Sequence, residues 1–453
     1  MNSRQEAFVS ENIPPQEEKA PAARSSRSQP DSSPSEPEHL HRGLSIRHLR
    51  LIAIGGTIGT GLFLGSGKAI SLAGPSIILV YAIIGFMLFF VMRAMGEVLL
   101  SNLKYRSFID FTEDLLGPWA GFFTGWTYWF CWIVTVISEI VAIAGFALFW
   151  WPEMPLWVPA SLAIVALLAL NLPTVKAFGE IESWFALIKI AAIMMLVVVG
   201  LIMIATEFRT PTGSVASFAN IWNDNGVFPT GFTGFVAGFQ VAVFSFVGLE
   251  MVGTAAAETK DPEKNMPRAI NTIPLRLMLF YVLSIVIIIS VTPWSQITPG
   301  ESPFVAMFML VGVTMAAGIV NFVVLTSASS SANSGIYSTS RMLFSLAKER
   351  DSMARFGRLS SRKVPANALI FSCAFLLIAV GLLYAGTSII EAFTMTTTLA
   401  SLLFIFVWSM ILFPISPTED ADRTSTQNLP TKCPAVSQCA SSCWHFSSSC
   451  CGL

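Results

Sequence analysis

The sequence predicts an all-α, polytopic membrane protein, and three observations carry the prediction. Of 453 residues, 53% are hydrophobic and only 12% are charged, against about 25% charged in soluble domains. The charges gather in short connections between apolar runs of roughly 20 residues, the length that crosses a hydrocarbon core about 30 Å thick. The runs are continuous, whereas a membrane β-barrel would show short alternating segments. A net charge of −1 leaves no basic surface for nucleic acid. The four histidines, His39, His41, His48 and His445, lie outside the interiors of the apolar runs, which argues against a buried histidine metal site or proton relay.

Residues 1–45 are rich in Ser, Pro, Glu and Arg and poor in aromatics, the composition of a disordered tail. Without an apolar h-region, this stretch does not read as a signal peptide. Ten apolar segments follow: Arg47–Leu72, Pro75–Leu100, Leu116–Trp151, Leu156–Leu172, Ser183–Thr206, Phe232–Ala257, Ile270–Thr292, Phe304–Leu346, Ala366–Ala385 and Ile389–Leu412. Leu116–Trp151 and Phe304–Leu346 exceed one crossing and must include interfacial pieces. The core thus spans 46–414, with a first half over about 46–206 and a second over about 232–414.

Lysine and arginine in the connections set the orientation. Arg42, Arg47 and Arg50 precede the first segment, and Arg93, Lys104 and Arg106 follow the second. Lys176 follows the fourth, and Lys260, Lys264, Arg268 and Arg276 the sixth. Arg341, Lys348, Arg350, Arg355, Arg358, Arg362 and Lys363 follow the eighth. The intervening connections carry almost none; Arg209 alone breaks the pattern. The even connections and the amino terminus are therefore expected on the cytoplasmic side.

The first crossing is unusual. "AIGGTIGTGLFLGSG", Ala53 to Gly67, holds six glycines, each costing about 1 kcal/mol relative to alanine in a helix interior. Backbone freed at membrane depth is tolerated only where it is buried in protein or lines a cavity. A glycine-dense crossing is thus either a packing face, as Gly61-x-x-x-Gly65 would allow, or a break. The sixth segment, "AVFSFVGLEMVGTAAAE", is also glycine-interrupted and contains Glu250, a carboxylate at membrane depth that costs a few kcal/mol. Segments one and six are corresponding members of two five-segment halves, and paired interrupted helices point to a transporter binding site. Freed amides with positive dipole ends suit an anionic group, and freed carbonyls suit a cation. An amino-acid zwitterion presents both.

These residues carry a resemblance. "IAIGGTIGTGLFLGSGKAISLAGPS", "GWTYWFCW", "FSFVGLEMVGTAAAETKDPEKNMPRAI" and "SASSSANSGIYSTSRMLF" resemble the amino acid permeases of the amino acid–polyamine–organocation superfamily, over about Arg47 to Leu412. The resemblance implies two inverted five-helix repeats with helices one and six unwound at the centre. It implies proton-coupled import of small neutral amino acids, with D-serine, D-alanine and glycine the expected substrates, across a bacterial inner membrane. It implies that Thr57, Ile58, Gly59, Thr60 and Gly61 offer amides and a hydroxyl to the substrate carboxylate. Phe244, Ser245, Phe246, Val247 and Gly248, at the second break, would offer carbonyls to its ammonium. Phe246, Trp132 and Phe239 would crowd the pocket and favour small substrates. Protons, the amino acid and the lipid bilayer are the partners so implied. No enzyme activity, cofactor, metal, nucleic acid or obligate protein partner is expected.

Three ionisable residues are candidates for proton coupling. Lys189, in "ESWFALIKIAAIMM", matches the helix-five lysine of proton-driven family members; there it would reach helix-one carbonyls and the hydroxyls of Ser327 to Ser331. The alternative is a lysine that snorkels to the interface. Glu250 would either titrate or brace helix six. Glu139, in "TVISEIVAIAG", would tune substrate or proton transfer, or make a structural pairing.

The end departs from the family's twelve helices. Residues 415–453 are polar and cysteine-rich, and helices eleven and twelve are expected to be missing. Cys433, Cys439, Cys443 and His445 match no trusted zinc spacing. A frame shifted by one base would turn Cys, Trp, Phe and most Ser codons into codons with a central T, which encode only apolar residues. A frameshifted, truncated product is therefore the simpler account. A permease of the same family with other neutral substrates, a nutrient sensor, a channel and an inactive truncation are the rival functions.

Overall fold

The computed structural model describes residues 54–413 apart from 103, 104, 106, 173, 174, 255–261, 313, 349–352, 362 and 363. The expected amino-terminal tail, 1–45, and the cysteine-rich end, 415–453, lie outside the described residues.

Among the described residues, the secondary structure is helical apart from one isolated bridge between Arg209 and Val215. A short helix α1 (54–57) is followed by α2 (Thr60–Phe63) and α3 (Gly65–Ala73), and then by α4 (Ile77–Ser101). Next come α5 (Phe108–Leu116), α6 (Pro118–Ala147), α7 (Trp157–Asn171) and α8 (Val175–Ala205). The second half runs through α9 (Asn220–Asn223), α10 (Gly231–Phe244), α11 (Met251–Thr254) and α12 (Pro262–Val291). It ends with α13 (Pro303–Leu310), α14 (Thr314–Lys348), α15 (Ala366–Phe375), α16 (Leu377–Tyr384) and α17 (Ile389–Leu412). Among the described residues, seven helical stretches are long and apolar enough to cross a membrane; α7 and α10 are shorter apolar helices.

Local chemistry sets the ends. Ser107 caps α5 by accepting from the Ile109 amide. Pro118 opens α6 at a first-turn position, where no amide is needed. Ser388 and Glu391 form a reciprocal cap on α17, side chain to backbone in both directions. The long stretch 304–346 resolves into α13 and α14, with Gly312 at φ 76° just past the first, the left-handed stop that glycine supplies. The other long stretch is mostly the single 30-residue α6, preceded by α5.

Helix α6 is the central pillar, buried along most of its length. It packs against α14 and α17, while α4 packs against α12 and α8 against both α12 and α14. The broken helices run beside each other, α10 along α3. This places the two breaks at the middle of the bundle.

Candidate functional site

The first break falls at Ile58 and Gly59, between α1 and α2. Gly59 is extended, with φ −128° and ψ −154°. The second break spans residues 245–250, between α10 and α11, where Gly248 takes φ 105°. The breaks touch. A Cβ on Gly61 would lie 2.6 Å from Ser245 Cα, and one on Gly248 would lie 3.1 Å from the Gly56 carbonyl. Only glycine permits backbone to meet backbone this closely, and only glycine takes that φ without strain.

An interrupted helix must find new partners for the backbone groups it frees. Here side chains from three helices partner the freed carbonyls. Lys189 Nζ on α8 donates to Gly55 O. Ser331 Oγ on α14 donates to Gly56 O at 3.1 Å, and Ser327 Oγ donates to Ile58 O at 3.0 Å. The Tyr281 hydroxyl on α12 donates to Thr57 O at 3.2 Å and to Ser245 O at 2.8 Å, so one phenol ties the two breaks together. Tyr81 on α4 shares a 2.9 Å hydrogen bond with Ser245 Oγ. Phe246, fully buried, sits between the rings of Tyr81 and Tyr281.

The ionisable groups stand around this backbone. Glu139, Lys189, Glu182 and Glu250 are each no more than 1% exposed. The Glu139 carboxylate accepts from the Thr60 amide, at 3.3 and 3.4 Å from its two oxygens, and presses against Gly59. The amide at the start of α2 therefore faces a carboxylate belonging to the protein itself. Thr60 Oγ1 is buried with no hydrogen-bond partner. Glu250 accepts from the Gly248 amide at 3.2 Å, the Tyr128 hydroxyl at 3.3 Å and Trp408 Nε1 at 3.4 Å. Those are the contacts of a strut across the second break. Lys189 is fully enclosed, so its ammonium ends among helix-one carbonyls rather than at an exposed boundary.

The expected site residues thus come together: Thr57, Ile58, Gly59, Thr60 and Gly61 against Phe244, Ser245, Phe246, Val247 and Gly248, with Glu139, Lys189 and Glu250 around them. Ser245 differs from expectation in one respect: its carbonyl already holds the Tyr281 hydroxyl. Trp132 packs against Tyr128 and Phe404, and Phe239 meets Phe235 edge to face. Two groups escaped sequence reading. Tyr281 gives no local signal in an apolar helix. Glu182 was legible in principle, because seven residues separate it from Lys189, two helical turns that put both on one face.

Comparison with known proteins decides the family. The profile described as amino acid permease matches residues 48–451, most of the chain. The chain belongs to the amino acid permease family. This permease is 63% identical over 382 residues to the D-serine/D-alanine/glycine transporter of Escherichia coli, covering 84% of this chain and 81% of that protein. It is 52% identical over 371 residues to the uncharacterized transporter YdgF of Bacillus subtilis, covering 82% and 80%. It is 50% identical over 373 residues to the amino-acid permease AapA of the same organism, with the same coverage. The permease is thus a multi-pass membrane protein of a transporter family.

Proposed function

We propose that this permease imports small neutral amino acids, D-serine, D-alanine and glycine, by proton-coupled alternating access across a bacterial inner membrane. The observation that carries the reading is the contact between the two breaks, lined by backbone and enclosed by buried charge. The substrate class is supported by the relative that shares 63% of its aligned residues and is named for those three amino acids. The inverted repeat is supported by the pairing of corresponding helices. The second and seventh membrane helices, α4 and α12, pack together, as do the third and eighth, α6 and α14.

In this reading the substrate carboxylate takes the Thr60 amide and its unpartnered hydroxyl. Glu139 now faces that amide, and two ionised carboxylates cannot share one donor set without strong repulsion. Glu139 must therefore take a proton as the substrate arrives, which ties substrate to proton. The substrate ammonium meets the carbonyls of the second break beside Phe246. Lys189 holds Gly55 O while charged and releases it when it loses its proton, loosening α1. Glu250 braces the second break throughout. The bulk of Phe246, Tyr81 and Tyr281 around Ser245 favours small side chains.

The test is uptake of labelled D-alanine and glycine into proteoliposomes, with and without an imposed pH gradient. Saturable uptake that accumulates only with the inside alkaline is expected, and Lys189→Ala should abolish the accumulation. Gradient-independent, non-saturating entry, or undiminished accumulation by the Lys189 variant, would refute the coupling.

A further inference from the structure

Glu182 is the buried ionisable group that this mechanism leaves unused. It lies on α8, is fully buried, and its two oxygens are unequal. Oε1 accepts from Ser330 Oγ. Oε2 makes no close hydrogen bond, although Asn333 and Ser334 of α14 lie near enough to act on the carboxylate. A buried charge with an open lone pair costs several kcal/mol unless something compensates it. The compensation on hand is Lys189, two turns along the same helix. Both side chains converge on one residue: Lys189 Nζ bonds Gly55 O, and Glu182 Oε1 lies 2.5 Å from where a Gly55 Cβ would be.

The charged groups around this point are few. Glu139 on α6 and Glu182 on α8 both act on the Lys189 ammonium. α14 contributes Ser330, Asn333 and Ser334, all uncharged, and α1 contributes only backbone. One ammonium against two carboxylates leaves one unit of negative charge in a dry interior, so a single proton neutralises the set. Glu139 faces the amide of α2, past the first break; Glu182 faces Gly55, before it. The two carboxylates thus stand on opposite sides of the first break, with Lys189 acting on both.

We propose that Glu182 is the acceptor that takes the proton from Lys189 and passes it to the compartment at the amino-terminal end of α1, completing each transport cycle. In the step, relayed by one water because the two groups are not in direct contact, one N–H bond of the Lys189 ammonium breaks and an O–H bond forms on Glu182. A neutral amine and a carboxylic acid remain, and charge is conserved. Glu182 then gives the proton to water on that side. This rests on the proton-coupled reading above.

The experiment separates net transport from exchange. Exchange of external labelled D-alanine for internal D-alanine needs no proton to leave, whereas net accumulation does. Glu182→Gln in proteoliposomes is expected to lose gradient-driven accumulation by roughly 10²-fold, the lower range of what a positioned proton-transfer group contributes, while exchange stays at the wild-type rate. Glu182→Asp, which keeps the carboxyl, is expected to recover part of the accumulation. Accumulation by Glu182→Gln at the wild-type level, or equal loss of accumulation and exchange, overturns the proposal. Should Glu182→Gln fail to insert, Ser330→Ala removes the hydroxyl on Oε1 without touching a charge. It should shift the pH midpoint of net uptake and leave exchange alone; an unmoved midpoint overturns the proposal. Wild-type protein that never accumulates D-alanine under a pH gradient would instead defeat the proton-coupled reading itself.

Discussion

Glu139 is the residue whose chemistry most constrains the proposed transport cycle. Its carboxylate already accepts from the Thr60 amide, so a substrate carboxylate arriving there competes with it. If binding takes up a proton at Glu139, linkage makes substrate affinity fall as pH rises, by at most about tenfold per pH unit. Glu139→Gln imitates the protonated side chain. The wild type should bind D-alanine more weakly as pH increases, whereas the glutamine variant should bind equally across the range and fail to accumulate substrate. Calorimetric titration of the purified permease at several pH values checks both. A wild-type affinity indifferent to pH, or a variant as steep as the wild type, would remove Glu139 from the coupling. Glu250 differs in kind. In the proposed cycle it serves as a strut, because three donors converge on it from Gly248, Tyr128 and Trp408.

The pair of breaks is where sequence and structure agree most closely, and the reason is physical. Glycine at membrane depth is costly in a helix, so six of them in "AIGGTIGTGLFLGSG" mark either close packing or interruption, and the structure has both at once. Gly61 touches the Ser245 backbone, and Gly248 touches Gly56 and Thr57. Gly61→Ala therefore pushes a methyl group into main chain that cannot rotate away. Overpacking of this kind costs about 1–3 kcal/mol, and here it separates the breaks. The variant should show a lower melting temperature in detergent and at least a tenfold weaker D-alanine affinity, the fold-change that about 1.4 kcal/mol represents. Gly381, whose Cβ would meet nothing, is the control, and Gly381→Ala should match the wild type. What the sequence could not show were the partners of the freed carbonyls. Tyr281 reaches Thr57 across 224 positions of chain, and no spacing rule sees such a contact. Hydropathy alone also could not divide the run 304–346, because apolar content does not register a left-handed Gly312. Glu182 lay in plain view seven residues before Lys189, but the glycine contact that makes the pair meaningful exists only in three dimensions.

The bundle as a whole depends on the sixth segment crossing the membrane despite its interruption. Helix α10 has 14 residues, a rise of about 21 Å, which falls short of a hydrocarbon core of about 30 Å. To cross, the segment must also use 245–250 and α11, which places the second break inside the membrane rather than at its edge. The charges require the same. Lys260, Lys264 and Arg268 follow the segment, whereas 210–240 before it contains no lysine or arginine, and basic residues mark the cytoplasmic side. Asn223, exposed in α9, and Lys264, exposed at the start of α12, should therefore lie on opposite faces of the membrane. Cysteines 131 and 373 are buried, so a background lacking the other five of the chain's seven leaves no reactive thiol in the way. In that background, Asn223→Cys should react with a membrane-impermeant maleimide in intact cells, and Lys264→Cys only after permeabilisation. Labelling of both from outside, or of neither, would make the segment re-entrant and leave the second half of the bundle inserted with the wrong polarity. The two breaks then could not belong to oppositely oriented repeats, and a site opened alternately to either face would lose its structural basis.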